Sequence, residues 1–128
     1  MGISHNLALK NIYFNGLSEI TTVFNAGAGS TYSKATEIIN IGNTGASRVY
    51  PNQATSGDPN RYEQVEVDQV DNMLPNDTIV NFALIDTERM ELEVFNGMKN
   101  TILRSPNIII LCEWSGAYFR GTGETKKM

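Results

Sequence analysis

The last third of the chain has the clearest pattern of apolar and polar positions. Residues 78–85, TIVNFALI, are apolar on both faces apart from one asparagine, as in a strand covered on both sides. Residues 88–104 predict a helix with acids in its first turn, bases near its end and one apolar stripe. The stripe consists of Val94, Phe95, Met98 and Ile102. A serine–proline pair ends this helix, and residues 107–114, NIIILCEW, predict a second buried strand with an apolar run of five residues before Glu113. Strand, crossover helix and strand predict a parallel unit.

The first two thirds predict one helix and three more strands. Residues 3–14 are compatible with a helix, and residues 20–26, ITTVFNA, are rich in β-branched residues and predict a strand. Residues 36–41 predict a strand in a hairpin with a long polar surface loop. Residues 64–70 alternate with period two, which is typical of a half-exposed edge strand. Its inward positions are Val65, Val67 and Val70, and its outward positions are Glu66 and Asp68.

Composition narrows the classes of function. The chain has 128 residues, of which 41% are hydrophobic, and this fits one domain over 1–128 with a polar tail at about 116–128. Ten Lys and Arg residues against 14 Asp and Glu residues give a net charge of −4, without a basic run. Nucleic-acid binding needs clustered cations that neutralise phosphates, so the composition argues against a nucleic-acid partner.

Cysteine content and apolar segment length indicate the compartment. Cys112 is the single cysteine, which fits a reducing environment, and its apolar neighbours favour a small buried side chain over a catalytic thiol. No segment approaches the roughly 20 apolar residues that span a bilayer, and the first residues lack the cationic start of a signal peptide. We therefore expect a cytoplasmic protein without a membrane partner. No cysteine–histidine cluster indicates a metal site.

Candidate site residues follow the three predicted parallel strands. Ligands bind outside the carboxyl ends of the strands in open parallel sheets. Polar or small residues at these ends are Asn25 and Ala26, Asp86 and Glu88, and Glu113. Asp86 could serve a ligand, cap the following helix, or do both. Glu113 could border a site or simply emerge into solvent.

Two glycines after residues 20–26 invite a comparison with dinucleotide-binding loops. Gly27 and Gly29 have the G-x-G spacing, but Tyr32 stands where that fingerprint has its third glycine. The acidic residue that should follow about twenty positions later is also missing. We therefore reject a dinucleotide-binding loop.

Several segments together resemble one enzyme family. NIYFNGLSEITTVFNAGAG, NTGASRV, EVDQVDNMLPND and FALIDTERMELEVFNGMKNTILRSPNIIILCEW are similar, in that order, to the FkbM-type S-adenosylmethionine-dependent methyltransferases. The similarity covers about residues 7–115, and the last segment is its most specific part. That family typically shows a strand ending in I-D-V-E-G-A-E, a helix like LEVLKGA, and a strand that ends in an acidic residue.

The resemblance implies an α/β fold containing part of the class I methyltransferase sheet, which is Rossmann-like and has the strand order 3-2-1-4-5-7-6. Residues 20–26, 78–85 and 107–113 would be strands three to five, with a β-hairpin inserted between strands three and four. The resemblance begins inside the helix before strand three. It therefore implies a truncated member in which the first two strands, their glycine-rich loop and the ribose-binding acid are absent.

The resemblance also implies roles for the candidate residues. Asn25 and Ala26 would bind the adenine of the cofactor, S-adenosylmethionine. Asp86 and Glu88 would be the catalytic acids that orient or deprotonate an acceptor hydroxyl, and Glu113 would border the substrate cleft. The implied reaction is O-methylation of a sugar or secondary-metabolite hydroxyl. The alternative is a non-catalytic remnant or interaction module that does not bind cofactor on its own.

Two departures from the family pattern bear on activity. The turn IDVEGAE is replaced by IDTERME, so Arg89 stands at the glycine position and Met90 at the alanine position. Glycine is used where the backbone has a positive φ or approaches another group closely, so Arg89 either blocks the cleft or points to solvent.

The two absent strands would lie between strands three and four. We therefore expect strands three and four to pair directly, a complementing chain or self-association to fill the gap, or poor folding.

Overall fold

The computed structural model describes residues 2–40, 42, 47–51 and 62–113. Its helices are α1 (Ile3–Phe14), α2 (Val70–Met73), α3 (Glu91–Gly97) and α4 (Lys99–Leu103), with a 3₁₀ turn at Ser18–Ile20. Its strands are β1 (Gly27–Ala28), β2 (Ser33–Ile38), β3 (Arg48–Pro51), β4 (Tyr62–Asp68), β5 (Phe82–Ile85) and β6 (Ile109–Cys112). The predicted polar tail, 116–128, and most of the predicted long loop lie outside the described residues.

Four of the strands form a mixed sheet in the order β1-β4-β2-β3. β2 pairs antiparallel with β3 and with β4, which confirms the predicted hairpin, and β1 pairs parallel with β4. The predicted alternation in β4 is confirmed, because Val67 is buried and Glu66 is exposed. The prediction of an edge strand is wrong, since β4 lies between β1 and β2. Val70 belongs to α2 rather than to the strand.

The predicted strand at 20–26 is wrong in its position. The chain forms a 3₁₀ turn at Ser18–Ile20, and it pairs as a strand only at Gly27 and Ala28, opposite Val67 and Asp68. β-branched residues favour extended backbone, but a strand also needs a neighbour for its N–H and C=O groups. Among the described residues, no strand lies beside 21–26. The strand propensity of these residues therefore did not lead to a hydrogen-bonded strand pair there.

β5 and β6 form a separate, two-stranded parallel sheet. This confirms the predicted parallel unit, although both strands are shorter than predicted. The α/β class is confirmed. The predicted class I arrangement is not seen among the described residues, because β1 and β5 belong to different sheets and do not pair directly.

The predicted helix at 88–104 is divided into α3 and α4. It begins at Glu91 rather than Glu88, and it is interrupted at Met98, whose φ of −121° and ψ of 19° are not helical. The predicted apolar stripe is nevertheless confirmed, since Val94 and Met98 are buried against Ile85, and Phe95 and Ile102 pack around them.

Asp71 explains why a new helix begins after Met98. Its carboxylate in α2 accepts hydrogen bonds from the N–H groups of Asn100 (2.9 Å) and Thr101 (2.7 Å) and from the Thr101 hydroxyl (2.7 Å). Burial disfavours the charged carboxylate, but these hydrogen bonds and the Arg104 charge outweigh it and lower the pKa of Asp71. Asp71 is therefore a helix cap that comes from another element.

A contact between two glycines brings the two sheets together. A Cβ built on Gly97 of α3 would overlap the carbonyl oxygen of Gly29, which follows β1, and would lie 3.3 Å from Cα of Gln69. A Cβ on Gly29 would lie 2.5 Å from Cγ1 of Val67. Glycine at both positions allows the backbone of α3 to lie directly on the four-stranded sheet. Ser30 and Glu93 join the same surfaces through a hydrogen bond between their side chains.

We expect Gly97→Ala to lower the free energy of unfolding by about 3 kcal/mol or more, because a methyl group must displace backbone at this contact. Asn96→Ala is the matched control. Asn96 is exposed in the same helix, and its substitution should change the free energy of unfolding by no more than about 0.5 kcal/mol. Chemical denaturation of both variants measures the difference. Equal stabilities of the two variants would contradict the packing role of Gly97.

Candidate active-site edge

The turn between β5 and α3 is held by one buried carboxylate. Glu91 is 5% exposed, and its Oε1 accepts hydrogen bonds from the N–H groups of Thr87 (3.1 Å) and Arg89 (3.1 Å) and from the Thr87 hydroxyl (3.3 Å). Burial alone would raise the pKa of Glu91, but these hydrogen bonds together with the N–H of Glu91 itself outweigh burial and lower it. Glu91 thus remains ionised and fixes the backbone of the turn.

The fixed turn contains two residues in the left-handed region. Glu88 has φ of 50° and Arg89 has φ of 87°. The family pattern has glycine at position 89, and the structure supplies the physical reason, because glycine adopts such a φ without a steric cost. Of the two orientations expected for Arg89, the structure shows the solvent-facing one, since its side chain is exposed.

Asp86 and Glu113 come together at the carboxyl ends of the parallel strands. Asp86 follows β5 and Glu113 follows β6, and Ile85 and Cys112 are paired in register just before them. A hydrogen bond with Asp86, followed by the negative charge of Asp86, raises the pKa of Glu113; partial burial and the charges of Glu88 and Glu91 add to this. Asp86 thus makes Glu113 harder to ionise than an ordinary glutamate, because the two carboxyl groups lie side by side at the strand ends.

A cavity of about 180 Å³ separates this turn from the four-stranded sheet. It is lined by Gly27, Ala28, Ser47, Val49, Asp86, Thr87, Glu88 and Met90. The structure thus brings together the predicted acids Asp86 and Glu88 at one small cavity. The acids offer hydrogen-bond acceptors, and Val49 and Met90 offer apolar wall. Such a surface can orient the hydroxyl group of a ligand. Because its acids are negatively charged, it also favours a ligand group with a positive charge.

Asn25 and Ala26 line a second cavity, of about 280 Å³, between α1 and the four-stranded sheet. The Asn25 side chain is committed to the start of α1, where its Oδ1 accepts a hydrogen bond from the N–H of Gly2 (3.3 Å). Gly27 and Val49 line both cavities, so the two spaces adjoin. Asn25 and Ala26 therefore line one cavity and Asp86 and Glu88 its neighbour, whereas Glu113 lines neither of the two.

Glu91 is the residue that sequence reasoning missed. The sequence shows it only as one acid among several at the start of a helix, and its burial and its backbone partners depend on the turn. Only its position in the sequence could have indicated this role, because Glu91 is the last acid of IDTERME and aligns with the last acid of the family pattern.

Cys112 packs against the helical core. Burial, together with the charges of neighbouring carboxylates, raises the pKa of its thiol. This position agrees with the interpretation of Cys112 as a small buried side chain rather than a catalytic thiol.

A metal site or a membrane-spanning helix would each change the class of site. Within residues 2–40, 42, 47–51 and 62–113, His, Cys, Asp and Glu side chains form no group of three that could hold a metal ion. No helix in those ranges is both long enough and apolar enough to cross a bilayer.

Arg89→Gly should raise the free energy of unfolding by about 0.5 to 1 kcal/mol. The left-handed conformation costs a non-glycine residue roughly 1–2 kcal/mol, and the greater freedom of glycine in the unfolded chain offsets part of that gain. Arg89→Ala removes the same side chain but keeps a Cβ, so its stability should stay near that of the parent. Thermal and chemical unfolding test this, and an equal gain in both variants would refute the backbone explanation.

Asp86→Asn should lower the pKa of Glu113 towards its ordinary value, since the main causes of the rise are removed. Glu88→Gln should lower it less, because Glu88 acts only through its charge. The raised pKa means that the folded chain holds the proton more tightly. The pair's contribution to stability is therefore complete below the ordinary glutamate pKa and is lost as pH rises through the folded pKa. Carbon-13 NMR titration of Glu113 measures these shifts; the reverse order of the two variants would refute the assignment.

Comparison with known proteins agrees with the motif resemblance. The family model described as the methyltransferase FkbM domain matches residues 3–128. No curated protein matches the chain. No solved structure matches it. Because the family model covers almost the whole chain, and includes the turn and both strands at the carboxyl pair, the chain belongs to the FkbM methyltransferase domain family.

Proposed function

We propose that this chain forms the acceptor side of an S-adenosylmethionine-dependent O-methyltransferase acting on a hydroxyl of a sugar or a secondary metabolite. The observation that carries the proposal is the Asp86–Glu113 pair at the carboxyl ends of two parallel strands, with Asp86 also lining a cavity. Membership of the methyltransferase family supports the reaction class. The choice of a hydroxyl acceptor is supported by carboxylates at this edge, which can hold and remove a hydroxyl proton.

The residues present fit the cofactor in size and charge. The adjoining cavities of about 280 and 180 Å³ together fall within the range of small-molecule sites, which is roughly 300–1,000 Å³. Asn25 and Ala26 would hold the adenosyl part, and Asp86 and Glu88 would face its positive end. S-adenosylmethionine, when bound, supplies a methyl group on a positively charged sulfur and leaves as a neutral thioether once the acceptor oxygen has taken the methyl.

The chain's own part in the reaction is alignment and proton removal. Asp86 would accept a hydrogen bond from the acceptor hydroxyl and take its proton as the oxygen gains the methyl group. A side-chain hydrogen bond between Glu113 and Asp86 would fix the direction of the Asp86 carboxylate. Glu91 holds the turn that carries Asp86 and Glu88. Alignment of this kind matters more than basicity, since the methyl donor is already activated.

A third cavity supports a complementing polypeptide. This space of about 290 Å³ is apolar and lies between α2, α3 and the edge of β5 that does not face β6. Among its walls are Ala28 of β1, Val80 before β5, and Ala83, Leu84 and Ile85 of β5. A free strand edge beside an apolar space accepts an extended segment by strand addition. We propose that strands from outside residues 1–128 enter here and complete the cofactor site.

The second candidate is a module that does not bind cofactor by itself. It is favoured by the strained Arg89, which replaces the glycine of the family turn, and by exposed apolar residues on β5 and β6. An interaction module needs such surfaces but does not need Asp86 as a carboxylate. Cofactor binding therefore separates the two candidates.

Calorimetric titration of S-adenosylmethionine into the purified chain, after cooperative unfolding has been checked, tests the proposal. We expect saturable binding, on the order of micromolar to a hundred micromolar, that survives Asp86→Asn. Transfer of labelled methyl to a panel of sugar and phenolic hydroxyls should fall by about 10² or more in Asp86→Asn. Asp77→Asn, at an exposed acid outside the lining of these cavities, should change neither quantity. Absence of saturable binding to a cooperatively folded chain would overturn cofactor binding by this chain alone and leave either the complementing polypeptide or the second candidate.

A further inference from the structure

The chain contains the dipeptide Asn–Gly twice, and the two copies lie in different surroundings. Asn15–Gly16 follows the last residue of α1, and Asn96–Gly97 ends α3. A phenylalanine precedes both copies, and both asparagine side chains are exposed. The backbone nitrogen after an asparagine can attack the side-chain amide carbon, and glycine hinders this least because it has no Cβ. The two copies therefore place the same chemistry in two structural settings.

The setting of Asn15–Gly16 is an exposed helix end. Gly16 has φ of 67°, and a Cβ built on it would meet no described atom within 4 Å. Two exposed hydrogen bonds hold the dipeptide. The Gly16 N–H donates to the Tyr13 carbonyl (3.1 Å), and Nδ2 of Asn15 donates to the Asn11 carbonyl (2.7 Å). Both bonds belong to the last turn of α1, where helices fray, so only local opening is needed to free the two reacting groups.

The setting of Asn96–Gly97 is a packed backbone. Gly97 is buried, and a Cβ built on it would overlap the carbonyl oxygen of Gly29. Its helix also carries Val94 into the core. The Gly97 nitrogen can turn towards the Asn96 amide carbon only if α3 leaves the four-stranded sheet. Opening a packed element costs much more free energy than fraying an exposed helix end. Exposure of the asparagine side chain alone therefore does not make this second site reactive.

We infer that Asn15 is a site of spontaneous deamidation in the folded chain, whereas Asn96 is protected. The Gly16 nitrogen forms a bond to Cγ of Asn15, and the bond from Cγ to the side-chain nitrogen breaks. That nitrogen leaves as ammonia, taking up the proton of the Gly16 N–H, and a five-membered imide ring remains. Water then opens the ring at either carbonyl, which gives aspartate or isoaspartate. The reaction needs neither an oxidant nor a cofactor.

The modification changes the C-terminal end of α1. The Nδ2 donor to the Asn11 carbonyl is lost, and a negative charge appears at the negative end of the helix dipole. None of the twelve residues of α1, all of which the structure describes, is buried, so little packing compensates. α1 supplies Ser4, His5 and Ala8 to the wall of the cavity of about 280 Å³. The importance of that wall for a cofactor rests on the proposed function, but the reaction itself does not.

Peptide mapping by mass spectrometry, after incubation of the full chain at mildly alkaline pH without cofactor, tests the inference. We expect Asn15 to be converted at least about 30-fold faster than Asn96 in the folded chain. In denaturant the two rates should differ by no more than about three-fold, since the flanking phenylalanine and glycine are the same. Gly16→Ala should slow conversion of Asn15 at least about ten-fold and leave Asn96 as the internal control.

Two results would overturn the inference. One is equal conversion of Asn15 and Asn96 in the folded chain. The other is an unmodified Asn15 in the folded chain under conditions in which the denatured chain reacts at both sites. If Gly16→Ala does not unfold cooperatively, Asn15→Gln replaces it, because the longer side chain disfavours ring closure and the mass gain of that peptide should disappear. Since no cofactor is present, failure of the proposed function would leave these results unchanged.

Discussion

The backbone contact between Gly97 and Gly29 is the constraint on which the rest of the structure depends. It places α3 directly against the segment after β1, where a Cβ on either residue would meet neighbouring atoms. The cavity of about 180 Å³ uses this arrangement, because Gly27 and Ala28 come from the four-stranded sheet while its acids, Asp86 and Glu88, come from the turn before α3. Without the close approach, the predicted adenine-side residues and the predicted acids would belong to two unconnected sheets.

The acids of the turn divide into structural and chemical groups. Glu91 is buried and committed to backbone N–H groups, so its lowered pKa reflects a fixed turn rather than a reactive group. Asp86 and Glu113 are exposed at the strand ends, and Asp86 raises the pKa of Glu113, which is the kind of perturbed pair that chemistry can use. Asp71 resembles Glu91, because it is ionised in order to cap α4. Hydrogen-bond partners, rather than residue type, separate these roles.

The two sides of the β5–β6 sheet differ in burial. The helix-facing side forms a small core around Ile85, Val94 and Met98. The opposite side is equally apolar in sequence but remains open, and one edge of β5 borders an apolar cavity. Apolar area exposed in this way favours association, since burying it releases roughly 25 cal/mol per Å². The proposal of a complementing strand rests on the edge of β5 and the apolar cavity beside it.

Periodicity and composition were enough for the features that depend on neighbouring residues along the chain. They determined α1, the hairpin, the inward positions of β4, the apolar stripe on α3 and α4, and the parallel unit that ends at Asp86 and Glu113. The IDTERME turn was sufficient to indicate the family and the unusual backbone at Arg89, because a glycine position carries information about φ.

Only the tertiary structure decided the features that depend on a partner distant in sequence. Residues 21–26 have strand propensity but no neighbouring strand within the part of the chain that the structure describes, and the predicted long helix divides where Asp71 caps its second half. Glu91 became the anchor of the turn only once the N–H groups of Thr87 and Arg89 converged on it. The sequence by itself determined which faces are apolar; which of those faces is covered depends on long-range packing, because burial requires a second surface that no local pattern specifies.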